Sequence, residues 1–227
     1  MGLITMIKNN KGFTIIELMI ASVAFATLII LITVAVMQVA RVYYKGINTG
    51  NTENVTRNIV QYASKSIQFS NSVLVSTNNT SVAGSKIGWT CIGNQTYIYS
   101  EGSALSATSA SWPNNVGLVY LTTNSCPSSS TLSNLINRGQ ELLGLNMRLT
   151  NFQISNVSNR LYNINVEVAF GNASSLCDSS ISPISGSGGC NSNIAPNFFP
   201  NSNIVCKAQI GDQYCAEATL STSVLSE

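Results

Sequence analysis

The longest apolar run in the chain is residues 18–40, LMIASVAFATLIILITVAVMQVA, which holds 23 positions without a charge. As an α-helix rising about 1.5 Å per residue it spans roughly 35 Å, against about 30 Å for a bilayer's hydrocarbon core. No proline interrupts it, and Tyr43, Tyr44, Arg41 and Lys45 at its far end suit a membrane interface. A secretory signal has a shorter apolar core, about 7–15 residues. The pattern therefore predicts a helix that crosses a membrane once. A plain anchor leaves one residue unexplained. Glu17 places a carboxylate just inside the apolar stretch, where a charge is costly unless it finds a partner.

Beyond this run the pattern changes. Gly46 and Gly50 lie within five residues and weaken the helix around 46–51. A second helix is expected to start at Asn51 or Thr52 and run to about residue 69. Val55, Ile59, Tyr62 and Ile67 recur on one face, with Arg57, Gln61 and Lys65 on another. Short alternating runs then predict strands over 86–92, 96–100, 116–122, 142–155 and 160–170. In the last of these Tyr162, Ile164, Val166, Val168 and Phe170 alternate with Asn163, Asn165, Glu167 and Ala169. Gly93-Asn94-Gln95 and Asn156–Asn159 read as turns. Residues 171–203 are dense in Ser, Gly, Asn and Pro and read as loop. Strands at 204–210 and 213–225 flank Gly211-Asp212, a hairpin signal. The expected fold class is α+β, a long N-terminal helix whose second half packs on an antiparallel β-sheet domain.

Composition narrows the function. Charged residues make up 9% and the net charge is +2. From Asn51 onward there are 7 basic and 8 acidic side chains, so no basic stripe supports nucleic-acid binding. The chain has no histidine, which excludes the usual Ser-His-Asp and Cys-His nucleophile arrangements, and it has no phosphate-binding glycine loop. Asp178 and Asp212 sit in loops with few other ligands nearby, so no metal is expected, and no cofactor or catalytic residue is assigned. Trp89 and Trp112 read as core or loop anchors.

Six cysteines, Cys91, Cys126, Cys177, Cys190, Cys206 and Cys215, all follow the apolar segment and lack Cys-x-x-Cys zinc spacing. An even set of this kind reads as disulfides formed in an oxidising compartment, which places the C-terminal part outside the cytoplasm and the N-terminus inside. Six cysteines permit 15 pairings. The favoured set is Cys206–Cys215 across the Gly-Asp hairpin, Cys177–Cys190 around the Ser/Gly-rich loop, and Cys91–Cys126 by elimination.

The run Lys11-Gly12-Phe13-Thr14-Ile15-Ile16-Glu17-Leu18-Met19-Ile20 resembles the prepilin cleavage and methylation motif of type IV pilins and type II secretion pseudopilins. The resemblance covers about residues 8–40. It implies a leader of residues 1–12 cut after Gly12 by a prepilin peptidase, and N-methylation of the new terminal amine at Phe13. It also implies an assembly role for Glu17, whose carboxylate would meet the Phe13 ammonium of a neighbouring subunit. Residues 13–45 would then form the membrane and filament-core helix. Residues 46–70 would form a joint and an amphipathic second half, and 71–227 an exported β-rich domain. Further implied partners are sibling pilins and an inner-membrane assembly platform driven by a cytoplasmic ATPase. The location implied is the inner membrane, then a surface or periplasmic filament. Many major pilins carry a helix proline where this chain has Val34, which favours a minor pilin or a J-type-like minor pseudopilin. The alternative is a binding subunit, a tip adhesin or DNA-uptake pilin, with loop 171–203 as its contact surface.

Overall fold

The structure, a computed structural model, describes Gly12 and residues 14–70, 76–82, 85–102, 117–158, 160–172, 175–178, 204–206 and 214–226. Its first element is one helix, α1, running Ile15–Gln68 without a break. The chain divides into two compact units, the first ending at Tyr43 and the second beginning at Tyr44.

The segment expected to start at Asn51 or Thr52 is the second half of one long N-terminal helix, as the expected fold class has it, and not a separate element. Gly46 and Gly50 both lie inside α1. Two glycines cost about 1 kcal/mol each in a helix interior. Ending one helix and starting another would orphan about four carbonyls and four N–H groups, a larger cost. The helix therefore propagates through them.

Within the second unit, α1 buries Thr52, Thr56, Ile59, Val60, Ala63, Ser66 and Ile67. The hydroxyl-bearing members of this face were not expected in a core. Each is satisfied within the helix: Thr52 Oγ1 donates to Asn48 O at 2.7 Å, Thr56 Oγ1 to Thr52 O at 2.8 Å, and Ser66 Oγ to Tyr62 O at 2.9 Å. A hydroxyl bonded back to the preceding turn can be buried without an unmet donor.

Five strands follow as a meander. They are β1 (Ser76–Val82), β2 (Ser85–Ile92), β3 (Gln95–Ser100), β4 (Leu118–Thr122) and β5 (Gln140–Glu141), each antiparallel to the next. Ile92 pairs with Gln95, so β2 and β3 are joined by a two-residue turn with Gly93 at φ 57°. A short 3-10 turn (Ser129–Thr131) and helix α2 (Leu132–Ile136) separate β4 from β5.

The second sheet has the order β10-β7-β6, from β6 (Met147–Ser158), β7 (Leu161–Phe170) and β10 (Ala216–Leu225). β6 starts later than expected, because Asn146 turns the chain at φ 61° just before it. It also runs into the 156–159 segment expected to be a turn. A third, two-stranded piece pairs β8 (Leu176–Asp178) with β9 (Ile204–Cys206). β8 thus falls inside the stretch read as loop, and β9 pairs with β8 rather than forming the expected hairpin with β10. Gly211-Asp212 lies outside the described residues.

Both faces of the meander are covered. Tyr97 and Tyr99 of β3 point into the main core with Ile59, Val60, Ala63 and Ile67 of α1, and the inner face of the second sheet joins them through Phe152, Ile154, Tyr162, Ile164 and Val166. Ile98, between the two tyrosines, points the other way into a smaller cluster with Trp89, Val119, Leu132 and Ile136. Period-2 alternation on β3 therefore gives two apolar layers. Gly88 permits this packing, since a Cβ there would stand 2.3 Å from Cζ of Tyr99.

Among the described residues one bridge stitches the two sheets together. Glu101 forms a parallel bridge with Leu149, and Gly102 N donates to Leu149 O at 2.8 Å. Beside this bridge Arg148 is 1% exposed and its Nη1 donates to Gly102 O at 3.2 Å. Burial draws its guanidinium down to about 10.

Candidate functional site

The sequence-predicted assembly residues lie at the start of α1. Thr14 occupies the position before the first helical residue, and Glu17 lies in the first turn. Thr14 N donates to Glu17 Oε2 at 3.0 Å, and Thr14 Oγ1 donates to the same oxygen at 2.8 Å. In return Glu17 N donates to Thr14 Oγ1 at 3.3 Å. This is a capping box, a Thr-x-x-Glu pair in which each residue satisfies an N–H of the other at a helix start. The negative charge also lies at the positive end of the helix dipole. Among the described residues neither carboxylate bond uses Oε1, which leaves that oxygen for a further donor.

Sequence reasoning found Glu17 as a charge out of place. It did not see that Thr14 gives that charge a local reason. The signal was present, since a threonine three residues before a glutamate at the head of an apolar run is a helix-start pattern.

Gly12, the expected cleavage residue, is exposed, and a Cβ built on it meets nothing within 4 Å. Its own fold does not demand a glycine there. Phe13 lies outside the described residues.

From Ile15 to Val42 the apolar side chains of α1 lie open. Ile15 is 83% exposed and Val42 is 74% exposed. The helix is long and apolar enough to cross a membrane. Its few polar side chains are turned back on the helix. Ser22 Oγ donates to Met19 O, Thr27 Oγ1 to Ala24 O and Thr33 Oγ1 to Ile29 O, each at 2.8 Å. The outward surface is thus almost free of unmet hydrogen-bonding groups, as a lipid or helix-packed environment requires.

In the second unit, disulfides join Cys91 to Cys126 and Cys206 to Cys215. The first ties β2 to the segment after β4. The second ties β9 to the residue before β10, although these strands are not hydrogen-bonded neighbours. Glu217 stands beside the second bond and its Oε1 accepts from the Cys206 N–H. With both sulfurs oxidised, this trio offers a metal one carboxylate and no thiolate. Cys190, and with it the Cys177–Cys190 pairing, lies outside the described residues, as do Asp212 and Trp112.

A capped N-terminal helix long and apolar enough to cross a membrane, followed by antiparallel sheets, is a pilin-like α+β layout. Residues 7–33 match the family model described as the prokaryotic N-terminal methylation motif. That match supports a type IV pilin-like or pseudopilin subunit, processed by a prepilin peptidase and assembled with other pilins. No curated protein and no solved structure matches the chain.

Proposed function

We propose that the chain is a minor subunit of a type IV pilus or of a type II secretion-like pseudopilus. It is made as a membrane-held precursor with the N-terminus inside, cut after Gly12, N-methylated at Phe13, and drawn into a filament by its apolar helix. An inner-membrane platform driven by a cytoplasmic ATPase performs the transfer, and the disulfide-bearing unit faces outward.

The observation that carries this reading is the Thr14–Glu17 box at the head of an uncovered apolar helix. The box would cap any helix start, but an ordinary anchor has no use for the carboxylate oxygen that the box leaves over. A filament subunit does, because cleavage after Gly12 frees an ammonium at Phe13, one position before the Thr14 N–H that Glu17 already holds. The free Oε1 of Glu17 is suited to accept that ammonium from a neighbouring subunit, so each charge meets an opposite one as both leave water. Lys8 and Lys11 leave with the leader, which removes two like charges from the same place. The openness around Gly12 is in keeping with a requirement set by the peptidase rather than by the chain's own packing.

Mass spectrometry of the chain from sheared filaments tests the reading. The expected product begins at a methylated Phe13. A polymerised chain that still carries its first twelve residues would overturn it.

A further inference from the structure

The uncharged apolar run of α1 ends at Ala40, and Tyr44 follows four residues later in the same helix. At about 1.5 Å per residue, Tyr44 stands about 6 Å along the helix from the end of that run. The headgroup layer on each side of a bilayer is roughly 5–7 Å deep. With α1 as a membrane helix, Tyr44 therefore falls within that layer. Tyrosine favours this depth, because its ring is apolar and its polar tip reaches water.

A second tyrosine reaches the same place from far along the chain. Tyr214, two residues before β10, has its ring 6.5 Å from that of Tyr44, and both belong to the second unit. The depth of Tyr214 thus differs from that of Tyr44 by 6.5 Å at most. The pair covers only part of either ring, since Tyr44 is 51% exposed and Tyr214 is 55% exposed. The backbone under Tyr214 is fixed. Its neighbour Cys215 is buried with Ala169, Leu176 and Ile204 and is bonded to Cys206. On another side Gly171, at φ 147°, comes so close that a Cβ on it would stand 3.3 Å from Tyr214 O. An open ring is therefore presented from a firm base.

A single exposed aromatic side chain is ordinary on a protein surface. Here two open rings from two distant elements meet a few residues beyond an apolar run long enough to cross a bilayer. Lys45, next to Tyr44, adds an ammonium of the kind that lipid phosphates attract. We propose that Tyr214 enters the headgroup layer beside Tyr44 and seats the second unit on the membrane surface before assembly. The partner is a phospholipid surface. Continuity selects it, because Tyr44 lies on the helix that enters the membrane. The proposal rests on the reading of α1 as that helix and adds a contact made by the C-terminal part of the chain.

The test uses the full chain, grown with 3-fluorotyrosine and placed in phospholipid nanodiscs. Tyr44→Phe, Tyr62→Phe and Tyr214→Phe assign the three fluorine signals. Lipid carrying a nitroxide on its headgroup is expected to erase most of the Tyr44 and Tyr214 signals. Tyr62 is the control, since it is 39% exposed but about 27 Å farther along α1, and its signal is expected to persist. Loss at Tyr44 with Tyr214 intact overturns the proposal and leaves the membrane helix standing. Signals intact at both Tyr44 and Tyr214 overturn the proposal together with the membrane reading of α1. Equal loss at all three tyrosines also overturns it, because no particular depth is then reported. A Tyr214 signal that responds to the number of chains per disc and not to the labelled lipid gives the patch to a second copy, and the proposal fails.

Discussion

The hydroxyl of Thr14 lies 2.8 Å from Oε2 of Glu17, and the backbone N–H of Thr14 reaches the same oxygen at 3.0 Å. The carboxylate is therefore held in place by its own chain before any second subunit arrives. Removing it and removing its holder should have different effects. Glu17→Ala should leave membrane insertion intact and lower recovery in sheared filaments by roughly tenfold or more, because the incoming ammonium loses its counter-charge. Thr14→Val keeps the backbone bond and loses the hydroxyl bond, so a smaller drop is expected. Equal recovery of Glu17→Ala and the unaltered chain would refute the pairing role.

Gly46 and Gly50 offer a second test. A Cβ built at either position meets nothing within 4 Å. Alanine at each should therefore stabilise the helix by about 1 kcal/mol, and the double variant by about 2 kcal/mol. Thermal unfolding of the full chain in detergent would show this as a rise in Tm. If bending at this place serves assembly, filament recovery should fall while Tm rises. A Tm that stays level or drops would show that the glycines are needed for packing.

The two disulfides among the described residues should not be equivalent. Cys91–Cys126 closes a loop of 35 residues and Cys206–Cys215 one of 9. Loop-closure entropy predicts losses of about 4 and about 2.5 kcal/mol respectively when each pair becomes serine. Cys91 is also buried in the smaller apolar cluster, so its replacement by serine adds an unmet hydroxyl. Denaturant unfolding of the two double variants would rank them, and a larger loss from the second pair would contradict the ranking.

Tyr97 makes stability sensitive to alkali. Its phenol is buried in the main core and bonded to Ser66 Oγ at 2.6 Å. Burial is the chief cause that pushes its ionisation upward, and the Ser66 bond opposes it in part. The folded state then holds a proton that the unfolded chain releases at about pH 10. Stability is fully present below that point and falls as pH rises above it. Tyr97→Phe should cost about 1 kcal/mol near neutrality through the lost hydrogen bond, and its alkaline decline should be shallower. Tyr99 and Arg148 shift in both proteins and cancel in the comparison. Parallel declines in the two proteins would place the alkaline sensitivity elsewhere.

What could be read from the residues depended on whether side chains or backbone made the structure. The alternation from Tyr162 to Phe170 was plain because one face of β7 is packed and the other is half open. The apolar run ahead of Arg41 was plain for the same reason of composition. β1, with sequence STNNTSV, gave no such signal because it joins its sheet by backbone pairing to β2. Glu141 was also silent. Its carboxylate accepts from Gly117 N, Leu118 N and Leu143 N at 3.0, 2.7 and 3.1 Å, joining positions more than twenty residues apart. Arg148 was overlooked because a lone arginine in a strand reads as a surface residue until the stitch between the sheets gives it a place.

The pairing of β10 with β7 carries a consequence for biosynthesis. β7 is translated before the 171–215 stretch and gains its second neighbour, β10, only after that whole stretch has emerged. Until then Ile164, Val166 and Val168 belong to an unfinished sheet with an open side. A product halted by a premature stop codon before Ala216 would keep that side bare and be a ready target for proteases. Quality control of this subunit is thereby written into strand order, with the last strand acting as the seal.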